Sequence, residues 1–229
     1  MNRDRIVTLI LAGALALGAG CGTEPDPKPP APQPTVETPE STIVHLIAAY
    51  EQRNLVKYRA LFTGDVTFEF SNSADPTLAN QWATGWFAAD ESLAAKHLFE
   101  GGTNLGGSYL PAASHVNLTL TRQRPVGDTE GRDTTLYKVL STPVDLIVEI
   151  PPTPPYTEPT LFVIINNSHR FYLVRGDAAV GLMAGQPADT TRWYIWAWAD
   201  ETVGAPAAPG ALEGATVPGS WGKVKGLYR

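Results

Sequence analysis

The chain has 229 residues, of which 43% are hydrophobic and 17% charged, with a formal net charge of −6. That length carries one domain with a single core, and a mild acidic balance without a basic stripe argues against nucleic acid and against electrostatic docking on anionic lipid. One cysteine, Cys21, excludes a disulfide framework and a thiolate metal site.

The first element is a leader. Arg3 and Arg5 flank Asp4, an apolar run extends from Ile6 to Leu17, and the small residues Gly18, Ala19 and Gly20 precede Cys21. A charged head, a greasy middle and a small cleavage site make a secretory signal over residues 1–20. The run is too short for an uncleaved span, which needs about 20 apolar residues. Leu17-Gly18-Ala19-Gly20-Cys21 resembles the lipobox of bacterial lipoproteins, whose leader is cut before a cysteine that carries acyl chains. The pattern's large aliphatic normally stands three before the cysteine. Here that position is Gly18, so cleavage without lipidation stays open. The resemblance implies palmitate-type acylation of Cys21 and a membrane anchor. By resemblance to diderm lipoproteins, Gly22 rather than an acidic residue after the cysteine implies the outer membrane, facing the periplasm or the cell surface. Removal of the leader loses two positive charges and one negative, so the formal charge of −6 becomes −7.

Residues 21–38 form the anchor and tether. Pro25, Pro27, Pro29, Pro30, Pro32 and Pro34 favour extended polyproline II, and residues 22–38 at about 3.1 Å each reach roughly 50 Å. Plain disorder gives the same tether.

Residues 39–229 are read as the folded domain. Thr38 caps a helix with Pro39 in its first turn, and Ile43, Val44, Leu46, Ile47 and Tyr50 supply its apolar face. Asn54 caps a second, short helix with Leu55, Tyr58, Leu61 and Phe62, ended by Gly64. Val66, Phe68 and Phe70 alternate with Thr67 and Glu69 in a strand. Residues 71–87 read as irregular, and Asp90 caps a third helix from Glu91 to Phe99 with Leu93 and Leu98 as core. His115 to Gln123 alternates as a strand, Arg124 to Thr134 reads as a charged hairpin loop, and Thr135 to Ile150 as a long strand bulged or broken at Pro143. Asn166, Asn167 and Ser168 suggest a hairpin turn between Leu161–Ile165 and Phe171–Val174. A last strand covers Trp193–Ala199, and a Gly/Ala/Pro-rich stretch leads to Trp221. Helices first, then antiparallel strands, is an α+β order, with N-terminal helices packed on a curved antiparallel sheet.

Tyr58 and Leu61 ahead of Phe68-Glu69-Phe70, then Leu98-Phe99-Glu100-Gly101, Phe171-Tyr172-Leu173-Val174-Arg175, Trp193-Tyr194-Ile195 with Trp198-Ala199-Asp200, and Trp221-Gly222-Lys223-Val224-Lys225 follow one another in order. This arrangement resembles the nuclear-transport-factor-2-like, cystatin-like cone, and within it uncharacterised bacterial lipoproteins, over residues 38–229. The arginine that the pattern carries before the second tryptophan of the last strand is Ala197 here. The superfamily includes ketosteroid isomerases, dehydratases, epoxide hydrolases, polyketide cyclases and many non-enzymes, so the fold alone does not choose a function.

Enzymes of this fold hold a carboxylate or a His-Asp pair in an apolar pocket, where burial raises a carboxyl pKa. The candidates are Glu69, His97 and Asp200. Glu69 alternates away from Phe68 and Phe70, Asp200 ends a strand where Arg175 or Lys223 can pair with it, and His97 lies late in a helix. Asp145 and Glu149 read as a solvated strand face. His45 and His97 fall on helices, His115 starts a strand, His169 falls at the turn, and none shares metal-ligand spacing with another. No Gly-x-Ser-x-Gly elbow or phosphate-binding glycine loop occurs, so no metal or cofactor is expected. The tryptophans are the better lead. Alternation puts Tyr194, Trp196 and Trp198 on one face, with Trp193 and Ile195 on the other; Trp82 and Trp86 lie in the long loop. Core packing explains them, and so does an aromatic mouth for an apolar ligand or a sugar. The expected function is an exported, lipid-anchored envelope protein with a non-catalytic domain that binds an apolar small molecule or an envelope protein. The alternative is a hydrolase, isomerase or dehydratase using a pocket carboxylate or histidine, and a third reading is a purely structural spacer-and-cap lipoprotein, which a filled core without a pocket would favour.

Overall fold

The structure, a computed structural model, describes residues 38–71, 85–121, 123–127, 129–152, 157–202, 216–218 and 220–229. The leader, Cys21, the tether through residue 37 and Trp82 lie outside them. All described residues fall within one unit, Thr35–Arg229.

Helix α1 (Pro39–Glu51) starts where Thr38 accepts a hydrogen bond from the Ser41 amide, with Pro39 in the first turn. Its buried stripe is Thr42, Ile43, Leu46, Ala49 and Tyr50, while Val44 is 57% exposed. Helix α2 (Leu55–Arg59) is capped by Asn54, as expected. Gly64 does not end it: the chain turns at Ala60 and Gly64 lies inside strand β1 (Phe62–Glu69). Trp86 and Phe87 form a short strand, β2, antiparallel to β1. Helix α3 (Ala88–Glu100) begins earlier than Asp90. That residue sits in the first turn and accepts from the Phe87 amide at 3.1 Å. Leu98 is buried and Leu93 only partly so.

A small hairpin, β3 (Gly102–Thr103) with β4 (Tyr109–Leu110), follows. Next come β5 (His115–Leu120), β6 (Arg124–Val126), β7 (Tyr137–Ile150), β8 (Thr160–Arg175), β9 (Trp193–Asp200), β10 (Thr216–Pro218) and helix α4 (Trp221–Tyr228). The main sheet runs β2-β1-β9-β8-β7-β5, with β6 on β7 and β10 on β8. The fold is α+β, with N-terminal helices packed on a curved sheet. The sheet is mixed rather than antiparallel throughout, because β1 joins β9 and β10 joins β8 in parallel.

Three local expectations gave way to the ladder. Arg124–Val126 is paired rather than looped, taking up the edge that β5 leaves at Leu120. Strand β7 runs unbroken past Pro143, which pairs with Ser168. The Asn166-Asn167-Ser168 turn does not form. Strand β8 is continuous, and between the pairs Val144–Asn167 and Leu146–Ile164 it carries one extra residue. Turn residues there make a β-bulge. His169 consequently sits mid-strand and fully buried rather than at a turn.

The core lies between the sheet's inner face and α1, α3 and α4. Tyr50, Tyr58, Phe62, Trp86, Phe171, Trp198, Trp221 and Tyr228 are among its largest members. A smaller cluster of Val174, Leu182 and Tyr194 forms on the sheet's outer face.

Candidate functional site

Inside the apolar core sits a charge that the sequence reading missed. Glu91 is 1% exposed, in the first turn of α3. It falls in line with Ala94, Ala95 and Leu98, the inward stripe of the helix, so the helix must carry a carboxylate into the core. A buried carboxylate is tolerable only if its oxygens are bonded. Tyr58 from α2 donates to Oε1, and Tyr50 from α1 donates to the Tyr58 hydroxyl at 3.1 Å. The Trp86 indole donates to Oε2 at 2.9 Å. Lys225 Nζ, from α4, donates to the same oxygen at 2.6 Å, with both side chains 4% exposed or less.

Aromatic rings surround the ammonium. Lys225 Nζ lies 4.0 Å from the centroid of Phe68, 4.5 Å from Trp198 and 4.9 Å from Trp221. These are cation–π distances, favourable where water is excluded. Burial pushes the ammonium pKa down from 10.5 to about 8, against the carboxylate of Glu91 and, less strongly, that of Asp200. Burial and the Glu91 charge raise the Tyr50 and Tyr58 hydroxyls well above the phenol value.

Beside the cage, the Trp198 indole donates to His169 Nδ1 at 2.9 Å. An accepting Nδ1 leaves the proton on Nε2, which faces Asp200 Oδ1 at 3.4 Å. The Thr202 amide donates to that oxygen at 3.0 Å, as does the Thr202 hydroxyl. Burial pushes the Asp200 carboxyl up, but its contacts with His169 and Thr202 outweigh that and hold it below the usual carboxylate value.

Among the described residues, the space beside the pair is small. The cavity bounded by Tyr50, Glu91, Trp221, Lys225 and Tyr228 measures about 10 Å³, at most one water. A larger cleft, about 420 Å³, opens on the outside between the start of α1 and the β6–β7 pair, with Glu40 and Lys138 as its charged lining. Among the described residues no group of three or more His, Cys, Asp or Glu could hold a metal ion, and no helix is long and apolar enough to cross a membrane.

The expected site residues are scattered. Glu69 is exposed. His97 is buried and uses Nδ1 on the Tyr228 carbonyl at 2.8 Å, fastening α3 to the end of α4. Asp200 pairs with His169 and Thr202 rather than with Arg175 or Lys223. The described tryptophans do not share one mouth. Strand β9 carries one extra residue against β8, Trp196, between the pairs Tyr172–Ala197 and Leu173–Ile195. The bulge flips the alternation. Trp198 turns inward with Trp193 and Ile195, while Tyr194 and Trp196 stay on the outer face. There Arg132 covers Trp196 at 4.4 Å. Trp86 is fully buried at Glu91. The signal that could have found this site was Glu91 on the apolar stripe of α3, repeated by Lys225 one turn from Trp221.

No family model matches the chain, and no curated protein matches it. Solved structures do align. A Salmonella enterica protein described as nuclear-transport-factor-2-like is 12% identical at a TM-score of 0.40, over 76% of this chain and 93% of its own. A Nostoc punctiforme protein of unknown function with a cystatin-like fold is 6% identical at 0.38, over 75% and 89%. A Novosphingobium aromaticivorans protein, provisionally described as a scytalone dehydratase, is 11% identical at 0.43, over 78% and 89%. These likenesses concern fold and no chemistry.

Proposed function

We propose that this is an exported envelope protein, acylated at Cys21 and held off the outer membrane by its proline-rich tether, whose domain binds rather than catalyses. The observation that carries the binding half is the Lys225–Glu91 pair. The interior carboxylate that a pocket enzyme would use as acid or base already holds an ammonium, and about 10 Å³ of space remains beside it. Among the described residues, Glu69 is exposed, His97 is spent on a backbone carbonyl and Asp200 on His169, and none of the three lines a described cavity. The anchor half is supported by the order of charged head, apolar run, small residues and lone cysteine. At roughly 0.8 kcal/mol per buried methylene, two or more chains anchor stably where one holds marginally.

Metabolic labelling with an alkynyl palmitate, followed by intact-mass measurement and solvent extraction of the membrane-purified protein, tests both halves. The expected result is label on the wild type, none on Cys21→Ala, and recovery of the variant in the soluble periplasmic fraction. An unlabelled wild type recovered in the cytosol would overturn the anchor. A small carboxylic or phenolic substrate and its product extracted together would overturn the binding reading.

A further inference from the structure

We infer that the cage around Glu91 is a recognition site for a primary or N-methylated alkylammonium group, and that α4 is its tethered occupant, with Lys225 standing where the ligand's cation would sit. The inference rests on the reading of the domain as a binding module and is independent of the lipid anchor. The receptor half is built without α4. Tyr58 and Trp86 hold both oxygens of Glu91 from α2 and β2, and Phe68 and Trp198 supply two ring walls from β1 and β9. The last nine residues add only the third wall, Trp221, and the cation itself. A preformed carboxylate with two aromatic walls is a site whether or not the chain's own lysine occupies it.

The geometry also selects the cation. Among the described residues Lys225 Nζ has one hydrogen-bond acceptor, Glu91 Oε2, and the ring faces of Phe68, Trp198 and Trp221 lie around it, with the Asp200 carboxylate acting from further off. An ammonium accepts that exchange, and an N-methylated one loses little by it. A guanidinium has five N–H donors in a planar fork and would leave most of them unpaired in a dry cage. The occupant is a helix of eight residues with Gly222 and Gly226 inside it, each a weaker helix former than alanine. It is held by burial of Trp221, Val224 and Tyr228, by the His97–Tyr228 bond and by the Arg229–Asp90 pair at 2.5 Å. A free ligand competes with a tethered one at high effective concentration, so the wild type binds weakly and a chain lacking the lysine cation binds more tightly.

The test uses the full chain as Lys225→Ala, which leaves a space shaped like propylammonium. Thermal melts are followed in n-propylammonium chloride, n-propanol and n-propylguanidinium chloride. The expected result is stabilisation by propylammonium alone, binding about tenfold or more tighter than to wild type, and loss of the effect in Glu91→Gln/Lys225→Ala. Equal rescue by propanol would reduce the site to an apolar cavity and overturn the inference, as would no rescue. Where Lys225→Ala fails to fold, the wild type decides. Amide exchange at Val224 and Lys225 quickens with propylammonium and not with sodium chloride of equal ionic strength; unchanged exchange overturns α4 as a displaceable occupant. Cys21 labelling is the same under every outcome, so failure here is distinct from failure of the anchor. Turnover found by extraction would sink the binding reading without amines being present.

Discussion

At the scale of single residues the energetics turn on unequal losses. Glu91 and Lys225 are each costly to bury alone and tolerable together, so removing one partner should hurt more than removing both. Glu91→Gln keeps the volume but strands an ammonium among three rings, and is expected to cost about 3–5 kcal/mol in urea unfolding. Glu91→Gln/Lys225→Met should recover most of that loss; a double variant as unstable as the single would refute the stranded charge as the cause. A second prediction concerns His169. With Trp198 donating to Nδ1, the ring in the neutral form carries its proton on Nε2, which ¹⁵N shifts of the imidazole report directly. Trp198→Phe removes the donor, leaves Nδ1 buried and unpaired, and should cost about 1–3 kcal/mol for that atom beyond the lost packing. A shift pattern showing the proton on Nδ1 in the wild type would contradict the bond.

At the scale of elements, what was legible was what local chemistry decides. Thr38, Pro39 and Asn54 marked two helix starts because a cap is satisfied within three residues. The alternation of Val66 and Phe68 placed β1's inner face for a similar reason. The errors came where long-range pairing overrode local preference. Asn166-Asn167-Ser168 favours a turn, yet a ladder with β7 on both sides of it absorbs the segment as a bulge. One extra residue in β9 then moved Trp198 to the opposite face from Trp196, which no periodicity within the strand could announce. Helix α4 was missed because glycines at 222 and 226 argue against a helix. Gly222 is there for space: a Cβ at that position would lie 2.9 Å from Phe70 Cδ1. Gly222→Ala therefore sets a propensity gain of about 1 kcal/mol against an overpacking cost of about 1–3 kcal/mol. Net destabilisation by chemical denaturation is the expected outcome; a stabilised Gly222→Ala would mean that Phe70 yields freely.

At the scale of the whole molecule, the buried ionisable groups set how stability follows pH. Lys225 falls from 10.5 to about 8 on folding, so between those values the unfolded chain binds the extra proton. Stability must then rise with pH across that window, by up to about 1.4 kcal/mol per unit and about 3 kcal/mol in all. Tyr50, Tyr58 and Tyr228 have the opposite sign. Their hydroxyls are raised above 10.0 in the fold, chiefly by burial, so the stability they contribute is complete below 10 and is lost as the unfolded chain ionises above it. The two effects cross near 10, where the rise from the lysine turns into the fall from the phenols. Urea unfolding from pH 7 to 11 should trace a maximum close to that point. Lys225→Met removes the ascending limb and leaves the descending one, because the methionine has no proton to lose while the tyrosines still do. A wild-type curve that is flat or falling from pH 8 would mean that the ammonium keeps its proton through the buried pairing with Glu91, and the cage would then stabilise the cation far more strongly than its desolvation weakens it.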